Sequence, residues 1–189
     1  MKRMRHFLSL LILAMILNSC DDEELRPRPF AYFRIDLAEP VYSVSELDCP
    51  FEFEYSDQAR LIVKDAQKCW VNIYYPKHKA TIYLTYSDID GDLAEQLRQT
   101  QDLTYEHQIK ANKIDRILHE NPENNTHGLR YRLGGDVASN VQFYLTDSSD
   151  HFLRGALYFN CPVNADSLRP VVEYMDKDIQ HLIATLKWN

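Results

Sequence analysis

The stretch GLRYRLGGDVASNVQFYLTDSSDHFLRGALYF, Gly128–Phe159, decides the fold. Leu129-Arg130-Tyr131-Arg132-Leu133 alternates apolar and charged side chains, as a half-buried strand does. Gly134-Gly135 supplies a turn. Val141-Gln142-Phe143-Tyr144-Leu145 reads as a second strand, Thr146–Asp150 (TDSSD) turns again, and Phe152–Phe159 returns as a third with Gly155 inside it. Three strands joined by short connections form an antiparallel meander.

Toward the C-terminus, Asp166 or Ser167 is the expected cap of a helix with Pro170 near its start. Val171, Tyr174, Met175, Asp178, Ile179, Leu182, Ile183 and Leu186 recur at helical spacing. All but Asp178 are apolar, which gives a broad core-facing stripe. Toward the N-terminus, SDIDGD (Ser87–Asp92) precedes a run rich in helix formers, and a helix of about 92–109 is expected. Ile114, Ile117 and Leu118 suggest a short strand or a helix end, and Asn121–Asn125 an exposed loop.

Ala80–Tyr86 alternates, Cys69–Tyr75 is β-branched and aromatic up to Pro76, and Pro76–Lys79 joins them as a hairpin turn. Leu61–Val63 and Phe51–Tyr55 are further strands, as is Ala31–Asp36, and Pro40–Glu46 reads as loop. The order is strands, helix, strands, helix, with hairpins throughout. That is α+β: a single, mainly antiparallel sheet covered by helices. The βαβ rhythm of a nucleotide-binding parallel sheet is absent.

The first residues are of another kind. Lys2, Arg3 and Arg5 form a basic start, and Phe7–Leu17 is almost entirely apolar. Its length is about half of the ~20 residues that a spanning helix needs. Basic start, short apolar core and small residues beyond describe an export signal. Leu17-Asn18-Ser19-Cys20 places Leu three residues before a Cys and Ser directly before it, the pattern of a bacterial lipobox. Residues 1–19 are then a lipoprotein signal peptide and Cys20 the lipidated residue; two or more acyl chains give stable anchoring. The alternative is a plain secretory signal with Cys20 incidental or disulfide-bonded. Asp21–Pro29, acidic and then Pro-rich, is a solvated tether within residues 20–30, and residues 31–189 form one globular domain.

Without residues 1–19, which hold three basic and no acidic side chains, 18 Lys+Arg face 28 Asp+Glu, a formal charge of −10. Such a surface disfavours nucleic acid and anionic membranes, so the membrane link is the lipid. Cys49, Cys69 and Cys161 remain in a disulfide-permissive compartment. Three is odd, so at most one bridge forms. Cys49–Cys69 is the expected pair; the alternative is three buried thiols.

No GxSxG, P-loop, GxGxxG or HExxH motif is present. Asp88, Asp90 and Asp92 around Gly91 resemble a calcium loop, but the glycine is misplaced for an EF-hand; a helix cap is the better reading. The seven His make no metal-ligand spacing with Cys. Asp147, Asp150 and His151 near Ser148 and Ser149 either serve turn chemistry or, if a carboxylate and His meet in a cleft, hydrolysis. Arg154, among Phe152, Leu153 and Leu157, needs an exposed face or a partner carboxylate. It is a structural ion pair or a ligand contact. Tyr32, Tyr74, Tyr83, Tyr131, Tyr144 and Tyr158 are candidates for an exposed aromatic patch or for core and cross-strand pairs.

Several strings carry a resemblance: Tyr32–Leu37 (YFRIDL), Asp48–Phe51 (DCPF), Cys69–Ile73 (CWVNI), Ala138–Ser148 (ASNVQFYLTDS) and His151–Phe159 (HFLRGALYF). With the lipobox they make the chain similar to the gliding-motility lipoprotein GldD family. The resemblance implies a non-catalytic outer-membrane lipoprotein, facing the periplasm or the cell surface. It implies support of gliding and the associated type IX secretion machinery through contacts with other gliding-motility or secretion lipoproteins, with no cofactor and no metal. Only Cys20 transfers as a site. The alternative is a periplasmic or surface binding module for a small ligand or cell-wall glycan, with a concave pocket lined by Tyr or Trp70. The strand order also resembles the Mog1/PsbP-like α/β/α sandwich.

Overall fold

A computed structural model describes residues 37–189. The export signal, Cys20, Tyr32 and the strand expected at Ala31–Asp36 lie outside the described residues. Eleven strands are present among them: β1 Tyr42–Val44, β2 Phe51–Glu52, β3 Glu54–Ser56, β4 Arg60–Asp65, β5 Trp70–Tyr75, β6 Ala80–Asp88, β7 Ala111–Asn121, β8 Thr126–Gly135, β9 Val141–Thr146, β10 His151–Phe159 and β11 Lys187–Trp188. Two α-helices, α1 Leu93–Tyr105 and α2 Ala165–Thr185, accompany them.

Seven strands form one sheet in the order β4-β5-β6-β10-β9-β8-β7, and every neighbouring pair is antiparallel. Two meanders, β4–β6 and β7–β10, join along β6 and β10. Two short ladders stand apart, β1 with β3 and β2 with β11. The architecture is thus mainly antiparallel sheet with two helices.

Register explains the core. Ile82, Leu84 and Tyr86 of β6 lie opposite Leu157, Gly155 and Leu153 of β10, and Gly155 and Leu153 lie opposite Phe143 and Leu145 of β9. Successive residues point to opposite faces, so these share one face. They form a single hydrophobic core with Met175, Ile179, Leu182 and Ile183 of α2. All eight residues of the stripe read from the sequence are buried, Asp178 included.

Two acidic side chains of α2 enter this interior on different sides. Asp176, 3% exposed, pairs with Arg130 and Arg132 of β8. Asp178 accepts a 2.8 Å hydrogen bond from Tyr42 of β1, and burial pushes its carboxyl above the usual range although that bond works against the rise. His181 stacks on Tyr42 and pairs with Glu54 of β3. The β1–β3 ladder is therefore pinned to α2 by polar contacts as well as by packing.

Gly155 marks the tightest point of the sheet. A Cβ there would overlap the ring of Phe143, itself 0% exposed. Gly155→Ala is expected to cost about 1–3 kcal/mol through overpacking, read as a fall in the urea midpoint. An unchanged midpoint would show that the Phe143 ring can move aside freely.

Several expectations need correction. The loop expected at Pro40–Glu46 contains β1, a three-residue strand held by β3. The strand expected over Phe51–Tyr55 breaks at Phe53, because its two halves pair with different partners, β11 and β1; Phe51 and Phe53 of its aromatic face are nevertheless buried, and Tyr55 partly so. The helix expected to 109 is α-helical only to Tyr105 and ends in a 3-10 turn over Glu106–Ile109. Ile114–Leu118 belongs to an eleven-residue strand at the edge of the sheet. The cap of α2 is Asn164, whose side chain accepts from the Ser167 N–H at 3.0 Å, rather than Asp166 or Ser167. Pro170 falls inside the helix.

Candidate binding groove between helix and sheet

A groove of about 440 Å³ opens between α1 and the sheet. Its floor comes from β6 and β10, including Thr85, Ser87 and Arg154; one wall is Trp70 of β5, and the other is α1 with Gln96, Gln99 and Leu103. Helix α1 is placed by its first turn. Gly91 takes the left-handed conformation (φ +71), which glycine tolerates without a Cβ penalty. Asp92 follows at the helix start. Gln96 then bonds back to the Asp88 carbonyl and the Asp92 carboxylate at 3.0 and 2.9 Å, and accepts from Ser87 Oγ at 2.6 Å. Of the acidic cluster read as a calcium loop or a cap, Asp92 stands at the N-cap position without a side-chain cap bond, its carboxylate taking Gln96 Nε2 and the Asp90 N–H instead, and Asp88 accepts from Tyr86. Among the described residues no group of His, Cys, Asp and Glu side chains is placed to hold a metal ion.

Arg154 lies at the inner end of the groove. In register it sits between Thr85 and Tyr144. One guanidinium nitrogen donates to Gln142 Oε1 at 3.0 Å, and Thr104 Oγ1 of α1 donates to the same oxygen at 3.3 Å. Arg154 Nε and Gln142 Nε2 are buried and meet no acceptor. Among the described residues Arg154 forms no salt bridge with a carboxylate, so the structural ion pair expected for it is replaced by a neutral amide. Burial accordingly draws its pKa down. At the rim Trp70 is 40% exposed. Its Nε1 donates to the Tyr86 carbonyl at 3.3 Å, and Lys68 Nζ lies 4.9 Å from the ring.

The other sequence candidates separate. Asp147 accepts from the backbone N–H groups of Ser149, Asp150 and His151 at 2.9–3.0 Å. Burial alone would raise its carboxyl, but these donors hold it below the usual range. Ser149 Oγ donates to the same carboxylate. The ring of His151 goes elsewhere: Nδ1 bonds to Tyr86 Oη at 2.8 Å, Tyr86 donates to Asp88 at 2.7 Å, and the imidazole stacks on Trp188. The turn is closed by its own carboxylate and brings no serine to a base, which is turn chemistry. Tyr131 is buried, Tyr144 stacks on Phe152, and Tyr83 meets Tyr158 edge to face. Tyr83 is 44% exposed, and Tyr74 and Tyr158 flank Thr81 in the neighbouring row of the sheet. Cys49 and Cys69 are joined by a disulfide with Cα atoms 5.7 Å apart, and Cys161 is a free, half-buried thiol.

Sequence reasoning singled out Arg154 and Trp70 but missed Gln142, Thr104 and Gln99. Gln142 leaves a signal, as a polar residue within an otherwise apolar and aromatic strand. Thr104 and Gln99 leave none until α1 is placed.

These features define a class: an α+β domain built on a large antiparallel sheet, with a solvent-open groove that Arg154 lines. The chain belongs to the gliding motility lipoprotein GldD family, whose sequence model matches residues 22–188. It is therefore a gliding motility lipoprotein, a membrane-anchored protein of the cell envelope, from a family not known for enzymatic activity. No curated protein and no solved structure matches it. Among the described residues no helix is long and apolar enough to cross a membrane.

Proposed function

We propose that this chain is an outer-membrane lipoprotein that supports the type IX secretion machinery on which gliding depends, through non-catalytic contacts with other gliding-motility or secretion lipoproteins. The observation that carries the reading is the family match, which begins at residue 22 and runs to residue 188. That start lies two residues past the lipobox cysteine. In this reading residues 1–19 are the signal peptide, Cys20 carries the acyl chains (palmitate among them), residues 20–30 are the tether and residues 31–189 are one domain. The sheet with a helix toward each face is a Mog1/PsbP-like α/β/α sandwich in this scheme. Support for that layering comes from the shared core of α2 with one face and the Thr104–Gln142 contact of α1 with the other. A lipid anchor is the only membrane link it requires, since a surface with a formal charge of −10 after processing is repelled by anionic headgroups.

A clean deletion complemented by wild type and by Cys20→Ala tests it. The deletion is expected to abolish both protein release into the medium and colony spreading. Wild type restores both, and Cys20→Ala restores neither, because an unacylated chain is lost from the membrane. Unimpaired secretion and spreading in the deletion strain would refute the role. Full rescue by Cys20→Ala would remove the anchor from the mechanism.

A further inference from the structure

We propose that the groove between α1 and the sheet binds an acidic sugar, its carboxylate received by Arg154 and its ring carried by Trp70. Arg154 lines the groove, and its Nε is a buried N–H donor with no acceptor. A half-buried cation such as Arg154, left without a counter-charge, is costly, and a carboxylate with two oxygens is the group that a guanidinium fork receives best. An incoming carboxylate would give the Arg154 guanidinium the acceptor that the fold itself leaves it without.

The rest of the groove specifies what carries that carboxylate. At the rim, a half-exposed indole is fixed by its hydrogen bond to the Tyr86 carbonyl, a flat apolar wall suited to the C–H face of a pyranose ring. Asp88 and Asp92 also line the groove. Carboxylates of this kind accept from vicinal hydroxyls and repel a second acid group, so a ligand with one acidic end and one hydroxyl-bearing end fits and a polyanion does not. The volume, about 440 Å³, suits one or two sugar rings, within the range of ordinary small-ligand sites. An acidic peptide is disfavoured by the floor. Strands β6 and β10 are paired on both sides, so no free backbone edge is offered for strand addition.

The test uses the full-length chain in detergent micelles and calorimetric titration with N-acetylmuramate and with galacturonate. These two probes separate a wall-type sugar acid from a uronic acid. The methyl ester of each and a hexaglutamate peptide are the controls. At least one sugar acid is expected to bind, its ester at least tenfold more weakly, and the peptide not measurably. Arg154→Gln and Trp70→Ala are each expected to weaken binding at least tenfold. Arg154→Gln should leave Tm unchanged or raised, since it removes an uncompensated half-buried charge, whereas a structural arginine would give a lowered Tm. Absence of binding by both acids, equal binding of acid and ester, equal binding by hexaglutamate, or binding that survives Arg154→Gln would each overturn the proposal.

Discussion

Asp176→Ala is expected to destabilise the domain by about 3–5 kcal/mol, the usual cost of removing one partner of a buried ion pair. Asp176 is 3% exposed and Arg130 is 9% exposed. The carboxylate also meets Arg132 Nε at 3.4 Å and accepts from Gln180 Nε2 at 3.2 Å. The three partners fare differently once it is gone. The Arg132 side chain is 43% exposed and can turn to water. Arg130 cannot: it projects from an interior strand toward α2 and would remain a buried, unpaired cation. A domain of this size has about 5–15 kcal/mol in total, so the variant sits near the threshold of folding. Urea unfolding measures the loss, and a fall of less than 1 kcal/mol would show the pair to be solvated. The double variant Arg130→Met, Asp176→Leu separates pairing from packing. Replacing a buried pair by apolar groups of similar volume is commonly neutral or stabilising by about 1–4 kcal/mol, so the double variant should recover what the single one loses. In a strain, Asp176→Ala should then resemble the deletion through loss of the protein, while the double variant should secrete and spread.

The pair also shows where sequence reading stops. A helical stripe marks the residues on one side of α2, and that side was legible: Val171, Met175, Ile179 and Leu182 face the sheet as their spacing requires. Asp176 and Asp178 lie two residues apart, roughly 200° around a helix, and both are buried. A single stripe cannot predict that. The cause is tertiary: α2 touches β8 on one flank and β1 on the other, so polar residues at both margins of the stripe are enclosed. The meander from Gly128 to Phe159 was legible for the opposite reason, since alternation and paired register agree locally, although Gly134-Gly135, expected as a turn, belongs to β8 and residues 136–140 make the connection. The edge strand β7 was not. ANKIDRILHEN carries charges among its apolar residues, and Ile117 and Leu118 are exposed. Charged side chains on an edge discourage pairing with other chains, and they also erase the alternation by which a strand is read.

The groove was half legible. Arg154 stands out in the sequence as a charge among core residues, and Trp70 as a large aromatic residue in a strand. Their common groove is set by α1, whose position follows from Gly91 and the Gln96 contacts rather than from any motif. Whether Arg154 had a carboxylate partner could not be read either, because its neighbours in space, Gln142 and Thr104, are 12 and 50 residues away in the chain.

Loss of the Cys49–Cys69 bridge is expected to cost about 3 kcal/mol, the chain-entropy value for a loop of this length; the two cysteines are 20 residues apart. The bridge matters by its position. Cys49 precedes β2, whose Phe51 is fully buried and pairs with Trp188 of β11. Cys69 lies in the turn between β4 and β5 and is 5% exposed. The disulfide therefore ties the small ladder that closes the C-terminus to the seven-stranded sheet. The variant to measure is Cys49→Ala, Cys69→Ala together, because a single replacement leaves a thiol free to pair with Cys161. The urea midpoint should fall, and the slope of the unfolding curve should rise as the uncrosslinked chain expands and exposes more surface. A midpoint that falls with no change of slope would place the cost in native packing instead. Treating the wild-type chain with a reductant should reproduce the variant. A domain that draws this share of its stability from a cystine is more stable in a compartment where disulfides persist. Reduced chains retained in the cytoplasm should accordingly be lost to proteolysis, and the double variant should accumulate to a lower level than wild type in the envelope even with Cys20 intact.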